Sequence, residues 1–181
     1  QGNEVYGGAE QSVGIFLHRS GDDAIVKGNY VHDNGDAGIA LMESFNAYVS
    51  RNTLENNKYG IRLSVGCGDN VFIRNVISDS SRYNIYTYEG SDEPWVTDSG
   101  RSQSNHFKRN TIIGSDESIK LTMADNTKFR DNVFQDATKV RFEDSTGTLM
   151  KRNTGLDDVE IRLDENACFQ RSSDAPFNTV C

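Results

Sequence analysis

Apolar residues in this chain fall on alternate positions in short runs, and the runs recur. One series is an apolar tetrad: Gly14-Ile15-Phe16-Leu17, Gly38-Ile39-Ala40-Leu41, Gly60-Ile61-Arg62-Leu63, Asn84-Ile85-Tyr86-Thr87, Ser118-Ile119-Lys120-Leu121, Lys139-Val140-Arg141-Phe142 and Glu160-Ile161-Arg162-Leu163. Its members begin 24, 22, 24, 34, 21 and 21 residues apart. A second series interleaves with it: Asn29-Tyr30-Val31, Asn52-Thr53-Leu54, Asn75-Val76-Ile77, Asn110-Thr111-Ile112 and Asn132-Val133-Phe134, spaced 23, 23, 35 and 22. Asn3-Glu4-Val5 and Asn153-Thr154-Gly155 extend it at the two ends. Both registers stretch once, between Tyr86 and Asn110, so one insertion at about residues 90–104 accounts for both.

A period of two within each run predicts strands. The clusters between runs, such as His32-Asp33-Asn34-Gly35-Asp36, carry residues that tolerate the left-handed conformation of tight corners. A repeat of this length has room for three strands and three turns but not for two helices. One such coil cannot bury its inner face, whereas stacked coils share a continuous narrow core. The expected fold is therefore all-β, a parallel β-helix of about seven coils, right-handed as strand crossovers generally are. The recurring Asn is expected to form a scaffold ladder along one corner, with Ser20, Ser44 and Ser64 in a similar role. The expected organisation is a solenoid over residues 1–167 and a C-terminal cap over 168–181.

Composition agrees with a thin core, at 35% hydrophobic, with 17 Asn and 17 Asp supplying turns. A formal charge of −8 argues against a general binder of nucleic acid or anionic membrane. No apolar run approaches the ~20 residues of a membrane-spanning helix. Cys67, Cys168 and Cys181 are the only cysteines. The spacing of Cys168 and Cys181 admits a disulfide closing the tail, and an oxidising, extracellular or cell-wall location would favour it. No Asn-x-Ser/Thr sequon is present. No cofactor is expected; the many Asp allow calcium, but no dense ligand repeat requires it.

If Ile15 and Leu17 point inward, Phe16 and His18 point outward. The same rule sends Ala40 and Met42, Arg62 and Ser64, Tyr86 and Tyr88, and Lys120 and Thr122 outward on later coils. With coils ~4.8 Å apart, one wall would display His18, Arg62, Tyr86, Tyr88 and Lys120 as a stripe. Cations suit carboxylates and phenol rings suit sugar faces, so the stripe points to an anionic polysaccharide. An ordinary solvated strand face remains the plainer alternative. The insertion, with Trp95 and Arg101, follows this wall directly and either folds over it or decorates the surface.

The runs Gly14-Ile15-Phe16-Leu17-His18-Arg19-Ser20, Asp36-Ala37-Gly38-Ile39-Ala40-Leu41-Met42-Glu43-Ser44-Phe45, Tyr59-Gly60-Ile61-Arg62-Leu63-Ser64-Val65-Gly66 and Tyr86-Thr87-Tyr88-Glu89-Gly90-Ser91-Asp92 together resemble the mannuronan C-5 epimerases, most closely the brown-algal type. The resemblance spans about residues 3–134. It implies a right-handed parallel β-helix acting on alginate, which turns β-D-mannuronate into α-L-guluronate within the polymer. That family's hallmark Asp-Pro-His motif does not occur here. The match implies a chain that starts one or two coils after the motif, with the missing coils or a partner chain covering the first one. His18 has the hallmark histidine's place within its strand but lies on a later coil.

The implied reaction needs a cation on the C-5 carboxylate, a base for H-5 and an acid on the opposite face. Arg62 is the candidate cation. His18, Tyr86 and Tyr88 are the proton-transfer candidates, with Lys120 or Arg62 expected to ease phenol ionisation. Phe16, Arg19, Met42, Glu43, Glu89, Trp95, Arg101 and Lys120 are candidate substrate contacts. Two other readings stay open: a lyase that breaks the chain by β-elimination, and a non-catalytic solenoid that binds an acidic polysaccharide.

Overall fold

In the computed structural model, which describes residues 1–19, 23–88, 100–172 and 178–180, the chain winds through three long sheets of parallel-stacked coils, with a short parallel pair of Ser102–Gln103 and Ala124–Asp125 beside them. Sheet 1 stacks Glu4–Tyr6, Tyr30–His32, Thr53–Glu55, Val76–Ser78, Thr111–Ile113 and Val133–Gln135. Sheet 2 stacks the tetrads as Ile15–His18, Ala37–Met42, Tyr59–Ser64, Tyr83–Tyr88, Glu117–Thr122, Lys139–Glu143 and Glu160–Leu163. Sheet 3 stacks Ile25–Lys27, Tyr48–Ser50, Val71–Ile73, His106–Lys108, Lys128–Arg130 and Thr148–Lys151. Each coil visits sheets 1, 2 and 3 in turn, and each strand pairs with its counterpart one coil away. Among the described residues there is no α-helix.

The register keeps the inward rows largely apolar. Ile15, Ile39, Ile61, Ile85, Ile119, Val140 and Ile161 form one inward row of sheet 2. Val31, Leu54, Ile77, Ile112 and Phe134 line sheet 1, and Val49, Phe72, Phe107, Phe129 and Met150 line sheet 3. The rows meet in one core in which most members are wholly buried. Slipping one coil by a single residue would turn its apolar set to water, so the core enforces the register.

The corner between sheets 3 and 1 is tied by the asparagine ladder. Asn3, Asn29, Asn52, Asn75, Asn110, Asn132 and Asn153 form a chain in which each residue's backbone N–H and side-chain amide donate to the next Oδ1, at 2.9–3.2 Å. A shorter ladder joins Asn34 to Asn57 and another joins Asn70 to Asn105. Ser44 and Ser64 donate to backbone carbonyls of the preceding coil. Ser64 is therefore buried, not turned outward as alternation suggests. Ser20 lies outside the described residues.

At the C-terminal end, Phe169–Ser172 extends sheet 3 in parallel, and Asn178–Val180 joins it antiparallel. Cys168 is disulfide-bonded and Cys181 lies outside the described residues. Cys67 is a free thiol in the core, where burial pushes it up to about 11 and leaves it a poor nucleophile.

Candidate functional site

Parallel register carries outward residues into rows as well. On sheet 2, Phe16, Ala40, Arg62, Tyr86, Lys120, Arg141 and Arg162 follow one another on successive coils. His18, Met42 and Tyr88 belong to the neighbouring row, in which Ser64, between Met42 and Tyr88, is buried. The stripe read from alternation thus lies on one wall, and the structure divides it into three groups.

The first two coils hold Phe16, His18, Arg19, Met42 and Glu43. Phe16 is exposed and stacks on His18 at 5.5 Å, while Arg19 is ion-paired with Glu43. Three rungs separate His18 from Tyr88, a span of ~14 Å at the spacing of parallel strands. His18 and the tyrosines thus stand at separate places along the wall.

The central group is a cleft of about 230 Å³ lined by Gln11, Asp36, Lys58, Tyr59, Arg62, Tyr86 and Tyr88. Tyr86 stacks against Tyr59 at 5.0 Å and against Tyr88 at 5.4 Å, and Tyr83 lies 5.0 Å from it. Ala37 and Ala40 are wholly buried beneath these rings, so the outer wall has a small apolar cluster of its own. Arg62 bonds Asp36 at 2.5 Å and lies over the Tyr88 ring. Lys58 sits over Tyr59 and Arg82 over Tyr83, and Arg82 also donates to the Tyr59 hydroxyl. Arg62, Tyr86 and Tyr88 are thus brought together as the sequence suggested.

Tyr59, Tyr83, Asp36, Lys58 and Arg82 were not legible as site residues. Strict alternation sends Tyr59 and Tyr83 inward with Ile61 and Ile85. The sheet ladder skips Gly38, Gly60 and Asn84, and this break lets both rings emerge beside Tyr86. Their recurrence at one repeat position was the available signal.

The third group is ionic. Lys120 pairs with Glu143 at 3.0 Å, and Arg141 pairs with Glu117 at 2.7 Å and Glu143 at 3.3 Å. Burial would raise the Glu143 carboxyl, but Lys120 and Arg141 outweigh it and hold the group below its ordinary range. Arg101 is held by Asp125 and Asp144, both at 2.7 Å, and does not line the cleft. Glu89 and Trp95 lie outside the described residues.

The cations do not ease ionisation of Tyr86. Burial, followed by the neighbouring Tyr59 and Tyr83, pushes its phenol up to about 12, against the smaller opposing effect of Arg82. In an alkaline absorbance titration Tyr86 should be the late-ionising phenol, and Tyr86→Phe should remove that step. The unfolded chain releases this proton near 10, earlier than the folded one, so Tyr86 adds a loss of stability as pH rises from about 10 towards about 12. An unchanged titration in Tyr86→Phe would refute the assignment.

The fold agrees with what comparison returns. The family described as the right handed beta helix region matches residues 1–99. The chain belongs to this right-handed β-helix family. Among solved structures, a double mutant of the periplasmic alginate epimerase AlgG superposes with a TM-score of 0.66 at 18% identity, covering 95% of this chain and 42% of that one. The Dettilon tailspike protein gp208 gives 0.64 at 13% identity over 87% and 40%. The alginate lyase from Paenibacillus sp. str. FPU-7 gives 0.59 at 18% over 86% and 58%. At these identities the likeness is one of fold, and this right-handed β-helix spans well under two thirds of each of those chains. No curated protein matches the sequence. No helix among the described residues is long and apolar enough to cross a membrane, and none of their acidic, His or Cys groups is arranged to hold a metal ion.

Proposed function

We propose that this β-helix holds an acidic polysaccharide, a polyuronate of the alginate type, against the outer face of sheet 2, as part of a C-5 epimerase-like protein of the cell exterior. The observation that carries the reading is the tyrosine-walled cleft with cations at its edge. Stacked phenols offer flat apolar surface to the C–H faces of pyranose rings, and their hydroxyls offer hydrogen bonds. Lys58 and Arg82, in no ion pair among the described residues, suit the carboxylates such a polymer carries on every ring. Arg62 is already balanced by Asp36 and serves mainly to orient.

In epimerisation, a neutralised carboxylate allows H-5 to leave on one face and a proton to return on the other. Tyr86 stays protonated and so suits the returning step. β-Elimination shares the first half and expels the 4-O group instead. Simple binding is the second reading, favoured because no histidine lines the cleft.

Titration of a short oligomannuronate followed by calorimetry should give measurable binding, with a neutral mannose oligomer far weaker. Lys58→Ala with Arg82→Ala should weaken the acidic ligand about tenfold, the equivalent of about 1.4 kcal/mol. Equal affinity for acidic and neutral oligomers would end the polyuronate reading. Deuterium entering C-5 from heavy water without chain cleavage marks the epimerase, and rising absorbance of an unsaturated product marks the lyase. Binding with neither signal leaves the non-catalytic reading.

A further inference from the structure

The outer face of sheet 3 carries a different arrangement of charge. Its outward rows run Tyr48, Val71, His106, Lys128 and Ser50, Ile73, Lys108, Arg130 on successive coils. His106, Lys108, Lys128 and Arg130, with Val71 and Phe107, enclose a cleft of about 150 Å³. On sheet 2, Arg62, Lys120, Arg141 and Arg162 are each ion-paired with a carboxylate. On sheet 3, none of Lys108, Lys128 and Arg130 forms an ion pair among the described residues. Asp131 is bonded to Arg152 and acts on Lys108 and Arg109 only at longer range, as Asp69 does on His106. The His106 ring is held below its ordinary range by burial and then by Lys128 and Arg130, as expected where positive charge is left uncompensated.

The corner beside these rows adds to the charge at a backbone cost. Gly28, Arg51, Arg74, Arg109, Asp131 and Arg152 occupy it on successive coils, all with φ between 51° and 65°. Glycine or asparagine takes that conformation readily, whereas a long side chain there costs about 1 kcal/mol. Arg51, Arg74 and Arg109 are exposed, so no packing offsets the strain. In a chain of net charge −8, this clustering of cations departs from the mean.

We infer that the outer face of sheet 3, centred on Lys108, Lys128 and Arg130 with the corner arginines Arg74 and Arg109, is a second polyanion-binding surface that takes a stretch of acidic polysaccharide. It borrows the polymer class of the proposed function but not its site. One or two cations per coil, at the ~4.8 Å rise of parallel strands, follow a polymer with one carboxylate per pyranose ring, because ring and coil are of similar length. Tyr48 is the one exposed aromatic residue in these rows, so the stacked bases of a nucleic acid find no run of ring partners.

The test is amide-resolved NMR of the whole chain titrated with a short oligomannuronate. Shifts are expected at residues 71–74, 106–109 and 128–130, separate from those at the tyrosine cleft and weakening as salt is raised. Lys108→Gln with Arg130→Gln should abolish the sheet 3 shifts and leave the cleft shifts intact. Arg74→Asn with Arg109→Asn should weaken the same site about tenfold without lowering the melting temperature, since asparagine suits the corner; a purely structural role would move stability and not binding. Shifts confined to the tyrosine cleft at saturation overturn the second surface and leave the proposed function standing. Shifts confined to sheet 3 do the reverse. A single-stranded oligonucleotide that moves the sheet 3 amides at lower concentration than oligomannuronate overturns the ligand class.

Discussion

Phe107→Ala is expected to destabilise the protein by about 4 kcal/mol, the upper range for emptying a buried aromatic site. Phe107 is the middle ring of a wholly buried stack, 4.6 Å from Phe72 and 4.9 Å from Phe129, with interplanar angles of 9° and 10°. Removing it opens a cavity between two coils that the Asn70–Asn105 and Asn75–Asn110 ladders hold in register. Collapse into the gap would have to bend those ladders, so the void persists. Phe107→Leu keeps most of the volume and is expected to cost less than half as much. Urea denaturation followed by far-UV circular dichroism measures both. A loss under about 1 kcal/mol for the alanine variant would show that the coils relax freely.

Asn110→Ala should cost about 3 kcal/mol, from hydrogen bonds that are buried and cannot be replaced by water. The Asn110 Oδ1 accepts from the backbone N–H of Asn75 at 2.9 Å and from its amide at 3.1 Å. The Asn110 amide donates to the Phe72 carbonyl and to the Asn132 Oδ1, both at 3.0 Å. Truncation leaves the Asn75 backbone N–H without its acceptor in a dry corner and removes the amide's bond to the Phe72 carbonyl. Asn110→Asp tests the direction of the ladder. A carboxylate still accepts from Asn75 but turns an oxygen to Phe72 and Asn132, so it should rescue nothing. If Asn110→Asp proves as stable as the parent chain, the ladder is not the source of the stability. Hydrogen exchange at the Asn75 amide reports the local opening in either variant.

Both effects bear on function through geometry. The outward rows exist only because each coil sits in register on the last. A coil released by Phe107→Ala or Asn110→Ala carries its outward side chains out of line with the next.

Much of this was legible in the residues. The two interleaved repeats, with their shared long step, specify stacked coils, because only that arrangement buries every Ile of the tetrads on one side. The asparagines before each sheet 1 strand read as a ladder for the same reason, since an Asn at a fixed place in every coil meets its own copy. The outward positions of Arg62, Tyr86 and Lys120 followed from alternation.

Alternation failed where the ladder breaks. Strict alternation sends Tyr59 and Tyr83 inward, yet beside the skipped pairings at Gly60 and Asn84 both rings pack against Tyr86, and Tyr59 lines the cleft. Charge pairing was also out of reach, because Arg62–Asp36 and Lys120–Glu143 join residues on different coils. The Tyr86 proton affinity depends on how deeply four rings pack, which no spacing records.

The sequence by itself determined the coil, its three walls, the scaffold ladder and the rows that face outward, since those follow from the period of the apolar residues and the cost of exposing them. Only the tertiary structure decided which cations remain uncompensated and which tyrosines share a cleft. Those properties arise between coils, at distances set by packing, and a charge counted along the chain becomes an available charge only when its neighbours in space leave it so.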